Sequence, residues 1–319
     1  MKKIIALAMA VLMLLSLAAC GASGKDDGKY TIGICQLVTH DALDAATQGF
    51  QDALVEALGE ENVTFDLQNA AGDSNTCSTI ANSFVSNGVD LIMANATPAL
   101  QAAAAATADI PILGTSVTEY GVAMGIENFN GTVGGNISGT SDLAPLDEQA
   151  NMLVEWFPEA KNVGLLYCSA EPNSKYQVDT IAALLTEKGI TCESFAFADS
   201  NDMAAVTQAA CDFSDVIYVP TDNAVASGTE VIDGICRPAG VPIIAGEEGV
   251  CAGCGVATLS ISYYDLGVKT AEMAAQVLTG EADISEMAIE YAANVTPKYN
   301  AEICESLGLT PPDGYEPIA

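Results

Sequence analysis

The hydrophobic pattern of the chain alternates between two kinds of segment. Short β-branched apolar runs, typical of parallel strands buried on both faces, occur at residues 30–34, 89–93, 110–113, 163–167, 216–219 and 241–245. Segments with helical spacing of apolar residues lie at 42–58, 76–87, 99–106, 148–156, 174–188, 203–211, 224–236 and 266–278. Gly59, Gly88 and Gly189 stand where helices are expected to end. The repeated strand–helix–strand order predicts an α/β fold with parallel sheets.

This alternation repeats along the chain. Three pairs of short segments match, namely TIGI at 31–34 with NVGL at 162–165, VDLI at 89–92 with SDVI at 214–217, and IPI at 110–112 with VPI at 241–243. The offsets are 131, 125 and 131 residues, so the matches keep their order and nearly their spacing. Each half is predicted to form one Rossmann-like lobe, and ligands of such sheets bind beyond the carboxyl ends of the strands. The sequence therefore predicts a ligand site between two lobes.

The N-terminus carries a separate signal. Lys2 and Lys3 precede an unbroken apolar run over residues 4–15, and small residues then lead to Cys20. So short a run is typical of an export signal, since a permanent span needs about 20 apolar residues. The LAAC sequence at 17–20 resembles the bacterial lipobox, so residues 1–19 are expected to be a lipoprotein signal peptide and Cys20 to be lipidated. A plain secretory peptide with an incidental cysteine is the alternative. Residues 20–29 are expected to form a lipid-anchored flexible tether.

Composition narrows the function classes. The 319 residues include 42 acidic residues, 10 basic residues and one histidine, which gives a formal net charge of −32. This excess argues against nucleic-acid binding, which needs clustered cations. Between Lys29 and Lys161 there are 17 acidic residues and no lysine or arginine. A ligand carboxylate in the first lobe must therefore be held by hydroxyl groups, backbone amides and helix dipoles, which disfavours phosphate and dicarboxylate ligands.

Six further segments resemble one protein family. They are GICQLVTHDALDAA at 33–46, NAAGD at 69–73, ATPA at 96–99, GTSDL at 139–143, YVPTDN at 218–223 and YYDLG at 263–267. In order and spacing they are similar to ABC transporter substrate-binding proteins, in the family with aromatic-amino-acid-binding members, over about residues 30–290. The resemblance implies a type I periplasmic-binding-protein fold, in which two flavodoxin-like parallel-sheet lobes are joined by a multi-crossover hinge. It implies an N-terminal lobe of residues 30–143 and about 262–284, and a C-terminal lobe of residues 144–261 and about 285–319.

The same resemblance implies a function. It predicts an extracytoplasmic, lipid-anchored monomer that captures a small ligand, preferably an aromatic or other apolar amino acid. The closed form would deliver this ligand to the transmembrane subunits of an ABC permease with a cytoplasmic ATPase. No cofactor, metal or enzymatic activity is expected. Two alternatives stay open: a ligand-sensing receptor of the same fold, and a hydrolase that uses His40, although no G-x-S-x-G elbow is present.

The candidate ligand contacts follow predicted strands or open predicted helices, so they are expected at the sheet edges that face the cleft. Several of these residue types are also ordinary helix caps. Asp142 or Asp222 is expected to pair with a ligand ammonium, hydroxyl groups with a carboxylate, and Tyr263 is a candidate aromatic wall. Glu247 and its neighbour Glu248 resemble an acidic pair of the family, and one of them is expected to bind the ligand amine or a hinge group. The full set is Gln36, Thr39, His40, Thr97, Pro98, Ser116, Thr118, Ser141, Asp142, Ser169, Asn173, Ser174, Asp222, Asn223, Glu247 and Tyr263.

Cysteines are unusually frequent. Nine remain once Cys20 is set aside, and an odd number excludes complete internal pairing. Cys251 and Cys254 form a C-x-x-C motif, but no second motif and no nearby histidine completes a zinc site. Buried or loop thiols are expected, with a Cys251–Cys254 disulfide as the alternative.

Overall fold

The computed structural model describes residues 29–292 and 294–318, which form two α/β lobes. The predicted signal peptide, Cys20 and most of the tether lie outside the described residues. Among the residues that are described, no helix combines the length and the apolar character that a membrane crossing needs.

The elements of the described residues follow in chain order. The strands are β1 (Tyr30–Gln36), β2 (Val63–Asn69), β3 (Leu91–Asn95), β4 (Ile112–Val117), β5 (Ile137–Ser141), β6 (Asn162–Cys168), β7 (Thr191–Phe197), β8 (Val216–Val219), β9 (Ile243–Ala245), β10 (Ala257–Ser260), β11 (Glu290–Tyr291), β12 (Thr296–Tyr299) and β13 (Glu316–Pro317). The helices are α1 (Asp41–Leu58), α2 (Ser74–Asn87), α3 (Thr97–Ala106), α4 (Tyr120–Met124), α5 (Leu146–Trp156), α6 (Pro172–Glu187), α7 (Ser200–Phe213), α8 (Asn223–Ala226), α9 (Thr229–Ala239), α10 (Glu248–Cys254), α11 (Tyr263–Thr279) and α12 (Ala301–Leu307). Short 3-10 helices occur at Glu60–Asn62 and Ile284–Glu286.

Two sheets organise these elements. In the described part of the chain, the first sheet has six parallel strands in the order β11–β5–β4–β3–β1–β2. The second has seven in the order β13–β12–β10–β9–β8–β6–β7, and β12 runs antiparallel to β10. Strands β1 to β5 and β6 to β10 occupy equivalent positions, which confirms the internal repeat predicted from the sequence. The central strands β3 and β8 are buried at every residue, as continuous apolar runs require.

The chain passes between the sheets three times over the described residues. It leaves the first sheet after β5, returns from β10 into α11, and leaves again from β11 to β12. Helix α11 packs closely on α1 because Gly49 and Gly267 lie at the contact, where a Cβ would collide with a backbone carbonyl of the other helix. The sequence places the last passage near residue 285, whereas the pairing of β11 with β5 keeps residues up to Tyr291 with the first sheet. A two-residue strand has no periodicity by which to predict it.

Other differences from the predicted elements have local causes. The edge strands β2 and β7 are only partly buried and lack a continuous apolar run, so their sequences do not stand out. The helix expected over 224–236 is divided into α8 and α9, because the chain leaves helical geometry at Gly228. The C-x-x-C motif lies within the short helix α10. All nine cysteines of the described residues are free thiols, and eight of them are buried.

Apolar side chains cover both faces of each sheet. In the first lobe Phe84 packs against one face and Phe50 against the other. In the second lobe Leu153 and Ile232 do the same. Each lobe therefore has its own core, and the two can move as rigid units about the three connecting passages.

Candidate ligand site between the lobes

A small cavity lies between the carboxyl ends of the strands of the two sheets. Its lining residues are His40, Leu43, Asp142, Thr221, Asp222, Asn223, Ala226, Glu247 and Tyr263. The cavity measures about 10 Å³, roughly what one water molecule needs. The lobes are therefore closed on each other, and a larger ligand can enter only when they part.

Most of the lining side chains occupy helix starts. His40, Asp222 and Glu247 are the N-cap residues of α1, α8 and α10, and Tyr263 is the first residue of α11. Each helix follows a strand of a parallel sheet, so its first turn lies at the cleft edge. The Glu247 carboxylate accepts hydrogen bonds from two backbone N–H groups of its own helix, at 2.6 and 2.5 Å. In helix α1, by contrast, the N-cap residue His40 makes no capping hydrogen bond, so the backbone N–H groups of the first turn have no side-chain acceptor there.

Asp142 is a buried carboxylate with one oxygen that has no hydrogen-bond partner among the described residues. It lies on the first passage between the lobes and is only 3% exposed. Its Oδ2 accepts a hydrogen bond from the Tyr263 hydroxyl at 3.0 Å. Its Oδ1 is buried and has no hydrogen-bond partner among the described residues. Burial raises the pKa of the Asp142 carboxyl to about 6.

Three buried carboxylates line the cavity, those of Asp142, Asp222 and Glu247, and a fourth, that of Glu171, lies behind Asn223. Burial raises the pKa of Glu171 and of Glu247 to about 7, and it also raises the pKa of Asp222. No lysine or arginine occurs among the residues that line the cavity. The site therefore favours a positively charged group, which would restore the ionised form of a buried carboxylate.

A chain of hydrogen bonds crosses the cleft. The Asn223 side-chain amide donates to Glu171 Oε2 at 2.6 Å, and the Asn223 backbone N–H donates to the same oxygen at 3.1 Å. This arrangement turns Asn223 Oδ1 toward His40 Nε2, which lies 3.2 Å away. Burial lowers the pKa of His40, so at neutral pH the neutral ring donates its Nε2–H to the second lobe. His40 thereby contributes to closure of the lobes.

The structure brings six of the predicted contacts together at the cavity: His40, Asp142, Asp222, Asn223, Glu247 and Tyr263. Four others support them from behind. The Ser141 hydroxyl donates to the Thr118 carbonyl at 2.8 Å, which fixes the segment that carries Asp142. Asn173 and Ser174 donate to the Thr221 carbonyl, at 3.1 and 3.5 Å, and hold the turn before α8.

The remaining predicted contacts lie outside the cavity lining. Thr39 and Ser169 are exposed. The Thr39 hydroxyl accepts a hydrogen bond from the Asn69 side chain of edge strand β2, and the Ser169 hydroxyl donates to the Phe197 carbonyl of edge strand β7. Gln36 is buried and ties the β1–α1 loop to α1 through Asp44 and Thr47. The others are buried at the ends of β3 and β4: Thr97, Pro98 and Ser116. The hydroxyl of Ser116 has no partner among the described residues, and its backbone φ is +53°.

Some site residues have only weak sequence signals. Three cavity residues were not predicted: Leu43, Thr221 and Ala226. Leu43 lies in the first turn of α1 and Ala226 in α8, while Thr221 immediately precedes the N-cap of α8, so each is close in sequence to a predicted contact. Glu171 is the N-cap residue of α6, at the end of the short loop after β6 that also contains the predicted contact Ser169. Its main partner Asn223 is 52 residues away, and no local pattern indicates that pairing.

A larger groove lies beside the connecting passages. It measures about 970 Å³. Glu247 and Tyr263 line both this groove and the small cavity, so these two residues lie between the groove and the cavity. Glu248 lines this groove, where it accepts hydrogen bonds from Ser260 and from Lys298, the latter at 2.8 Å. Of the two adjacent glutamates, Glu247 thus faces the cleft and Glu248 binds hinge groups.

A two-lobed binding protein with a closing cleft is the class that this geometry defines. The family model of ABC transporter substrate-binding proteins matches residues 31–315, and the chain belongs to this family. Its fold is the type I periplasmic-binding-protein fold. The family and the fold predicted from the sequence are both confirmed. Membership implies a small-molecule ligand, an ABC permease partner and a place outside the cytoplasm.

Several relatives are similar over nearly the whole described chain. The "Tyrosine-binding protein" of Clostridioides difficile (strain R20291) is 36% identical over 295 residues, which cover 88% of this chain and 85% of that protein. The crystal structure of an ABC domain from Streptococcus pneumonia in complex with L-Trp is 32% identical with a TM-score of 0.86, covering 91% of this chain and 100% of that one. A ligand-free, open structure of a substrate-binding protein with adhesive properties from Clostridium difficile is 37% identical and covers 91% of this chain and 99% of that one. Its TM-score is lower, at 0.69. This protein superposes better on the L-Trp complex than on the open, ligand-free structure, although its sequence is less similar to that of the complex. The difference agrees with the closed lobes described above.

Proposed function

We propose that this protein is the extracytoplasmic, lipid-anchored receptor of an ABC importer and that it binds an aromatic amino acid between its lobes. The observation that carries the proposal is Asp142 Oδ1, a buried carboxylate oxygen at the cleft with no partner among the described residues. A buried polar atom without a partner is costly, and a ligand ammonium satisfies it with a charge-assisted hydrogen bond.

The rest of the cleft suits the other parts of an α-amino acid. The uncapped N-terminus of α1 offers backbone N–H groups and a favourable dipole to the ligand carboxylate. Leu43 and Tyr263 offer apolar surface to a side chain. The tyrosine-binding relative and the L-Trp complex support an aromatic side chain.

In the proposed cycle the ligand stabilises the closed form. It contacts Asp142 on the first passage and residues of both lobes, so it binds an arrangement in which the lobes close around it, wider than the closure described above, more tightly than the open one. The closed, loaded form then docks on the permease, while lipidated Cys20 keeps the monomer at the membrane. No covalent step is involved: His40 Nε2 faces an amide oxygen, and we expect binding without turnover.

Asp142→Asn tests the proposal. Calorimetry of the wild-type protein should show binding of L-tyrosine, L-tryptophan or L-phenylalanine and no binding of L-aspartate. The isosteric variant removes the charge, so the affinity should fall about 10- to 100-fold, the usual contribution of a hydrogen bond to a charged group.

Asp147→Asn is the matched control, because it makes the same charge change at an exposed residue of α5. The control should bind like the wild type. Unchanged affinity in Asp142→Asn, or failure of every aromatic amino acid to bind, would overturn the proposal.

A further inference from the structure

Two thiols of the second lobe lie in contact with each other. Cys211 is in the last turn of α7 and Cys236 is near the end of α9, and their sulfur atoms are 3.2 Å apart. The two helices pack side by side, and both cysteines belong to the core cluster that includes Ile217 of β8. The sulfur atoms need to approach by only about 1 Å to reach the bond length of a disulfide.

We propose that Cys211 and Cys236 are a redox-active pair that forms a disulfide between α7 and α9 when the protein meets a low-molecular-weight disulfide. The structure shows the reduced form of the pair. A place outside the cytoplasm favours such oxidation, because no glutathione or thioredoxin system keeps thiols reduced there.

The reaction is two successive thiol–disulfide exchanges. The Cys211 thiolate attacks one sulfur of the oxidant RSSR, which forms a mixed disulfide and releases one RS⁻. Cys236 then loses its proton and attacks the Cys211 sulfur, which breaks the bond to the remaining R–S group and releases a second RS⁻. The two cysteines together lose two electrons and two protons, and RSSR becomes two RSH.

The two cysteines differ in a way that assigns their roles. Cys211 keeps 8% of its surface exposed, whereas Cys236 keeps 2%. The hydrogen bond between the two sulfur atoms lowers the pKa of Cys211. The same hydrogen bond, together with burial, raises the pKa of Cys236. Cys211 is therefore the attacking thiolate and Cys236 the resolving thiol.

A second pair of thiols provides an internal comparison. Cys35 of β1 and Cys77 of α2 also share a side-chain hydrogen bond, but neither has any exposed surface. An oxidant cannot reach this pair without unfolding of the first lobe. Oxidation of the native protein should therefore link Cys211 to Cys236 and leave Cys35 and Cys77 as thiols.

The cross-link should stabilise the second lobe without entering the cleft. Helices of a parallel α/β sheet run away from the carboxyl ends of the strands, so the last turns of α7 and α9 lie at the edge opposite the cleft. The disulfide would join cysteines 25 positions apart in the sequence. A closed loop of this size restricts the unfolded chain, and the thermal midpoint Tm should rise by roughly 5–10 °C.

The experiment treats the native full chain with oxidised glutathione, blocks the remaining thiols with an alkylating agent, and maps the peptides by mass spectrometry. We expect one cross-linked peptide pair that contains Cys211 and Cys236, and a Tm increase that dithiothreitol reverses. Cys211→Ser and Cys236→Ser should each abolish both effects. Cys192→Ser, which removes a half-buried thiol of β7, is the matched control and should keep both.

Three results would overturn the inference. The first is complete alkylation of Cys211 and Cys236 after oxidation of the native wild-type protein. The second is an equal yield of Cys35–Cys77 cross-link under the same conditions. The third is an unchanged or lower Tm in the cross-linked protein. Because mapping uses the wild-type chain, the inference stays testable even if a serine variant fails to fold.

Discussion

Asp142 combines burial, an unpartnered oxygen and a raised pKa in one side chain. The folded-state pKa of about 6 exceeds the ordinary value of 3.8, so this carboxyl group favours folding most below pH 4 and loses that contribution as the pH rises through 6. Glu171 and Glu247, with pKa values of about 7, act in the same direction. In the proposed complex a ligand ammonium would reverse this balance at Asp142, because it would stabilise the ionised form.

Ligand affinity should therefore depend on pH through Asp142. Below about pH 6 a proton competes with the ammonium, so affinity for L-tryptophan should fall toward a limit of about tenfold per pH unit. Above that pH it should level off. Calorimetric titration between about pH 5 and 8 measures the profile.

Asp142→Asn is the control for this titration and should flatten the profile. An unchanged slope in the variant would assign the titration to another group, with Glu247 the next to test.

At the scale of elements, the site is an assembly of helix starts. The Asp222 carboxylate accepts hydrogen bonds from the Val225 N–H of its own helix at 2.9 Å and from the Cys168 N–H at the end of β6 at 2.7 Å. It thus joins α8 to a neighbouring strand. From the sequence alone, Asp222 can be interpreted as a helix cap, as an ammonium partner or as both. Its hydrogen bonds in the closed form give it a structural role.

Asp222→Ala should therefore destabilise the ligand-free protein. Loss of a cap and of a buried acceptor costs about 1–3 kcal/mol, which corresponds to a Tm decrease of roughly 3–8 °C. Ligand affinity should fall as well, because the substitution frees the turn that carries Asn223.

Asp199→Ala is the matched control, since Asp199 caps the start of α7 at an exposed position. Calorimetric melting should give a smaller Tm decrease for this variant. Equal melting of Asp222→Ala and wild type would contradict the structural role of Asp222.

At the scale of the whole molecule, net charge opposes compactness. The formal charge of −32 leaves many carboxylates without a cationic partner, and their mutual repulsion is relieved on unfolding. The repulsion acts over the surface of both lobes and is screened by salt.

Sodium chloride should stabilise the protein. Raising its concentration from about 0.01 to about 1 M shortens the Debye length from about 30 to 3 Å, and Tm should rise by several degrees. Differential scanning calorimetry measures this change, with an uncharged osmolyte at matched osmolality as the control. A Tm that is independent of salt, or equally raised by the osmolyte, would show that charge repulsion does not limit stability.

The local pattern of the chain determines the class of fold and predicts the location of the candidate site. Strands buried on both faces need continuous β-branched runs, and those runs, with their repeat, are enough to predict two parallel-sheet lobes with a cleft at the strand ends. Edge strands such as β2 and the short β11 carry no such signal, because partial burial and short length leave little pattern.

Tertiary structure decided which strand-end residues meet and what each one does. In the sequence, Asp142 and Asp222 are similar candidates for a ligand contact. Their hydrogen bonds distinguish them: Asp142 has a carboxylate oxygen without a partner among the described residues, whereas both oxygens of Asp222 accept backbone N–H groups. The contacts of Glu171 with Asn223 and of Cys211 with Cys236 join residues 52 and 25 positions apart. Local periodicity reports which face of a segment is buried, whereas such contacts depend on how helices, strands and lobes pack on one another in three dimensions.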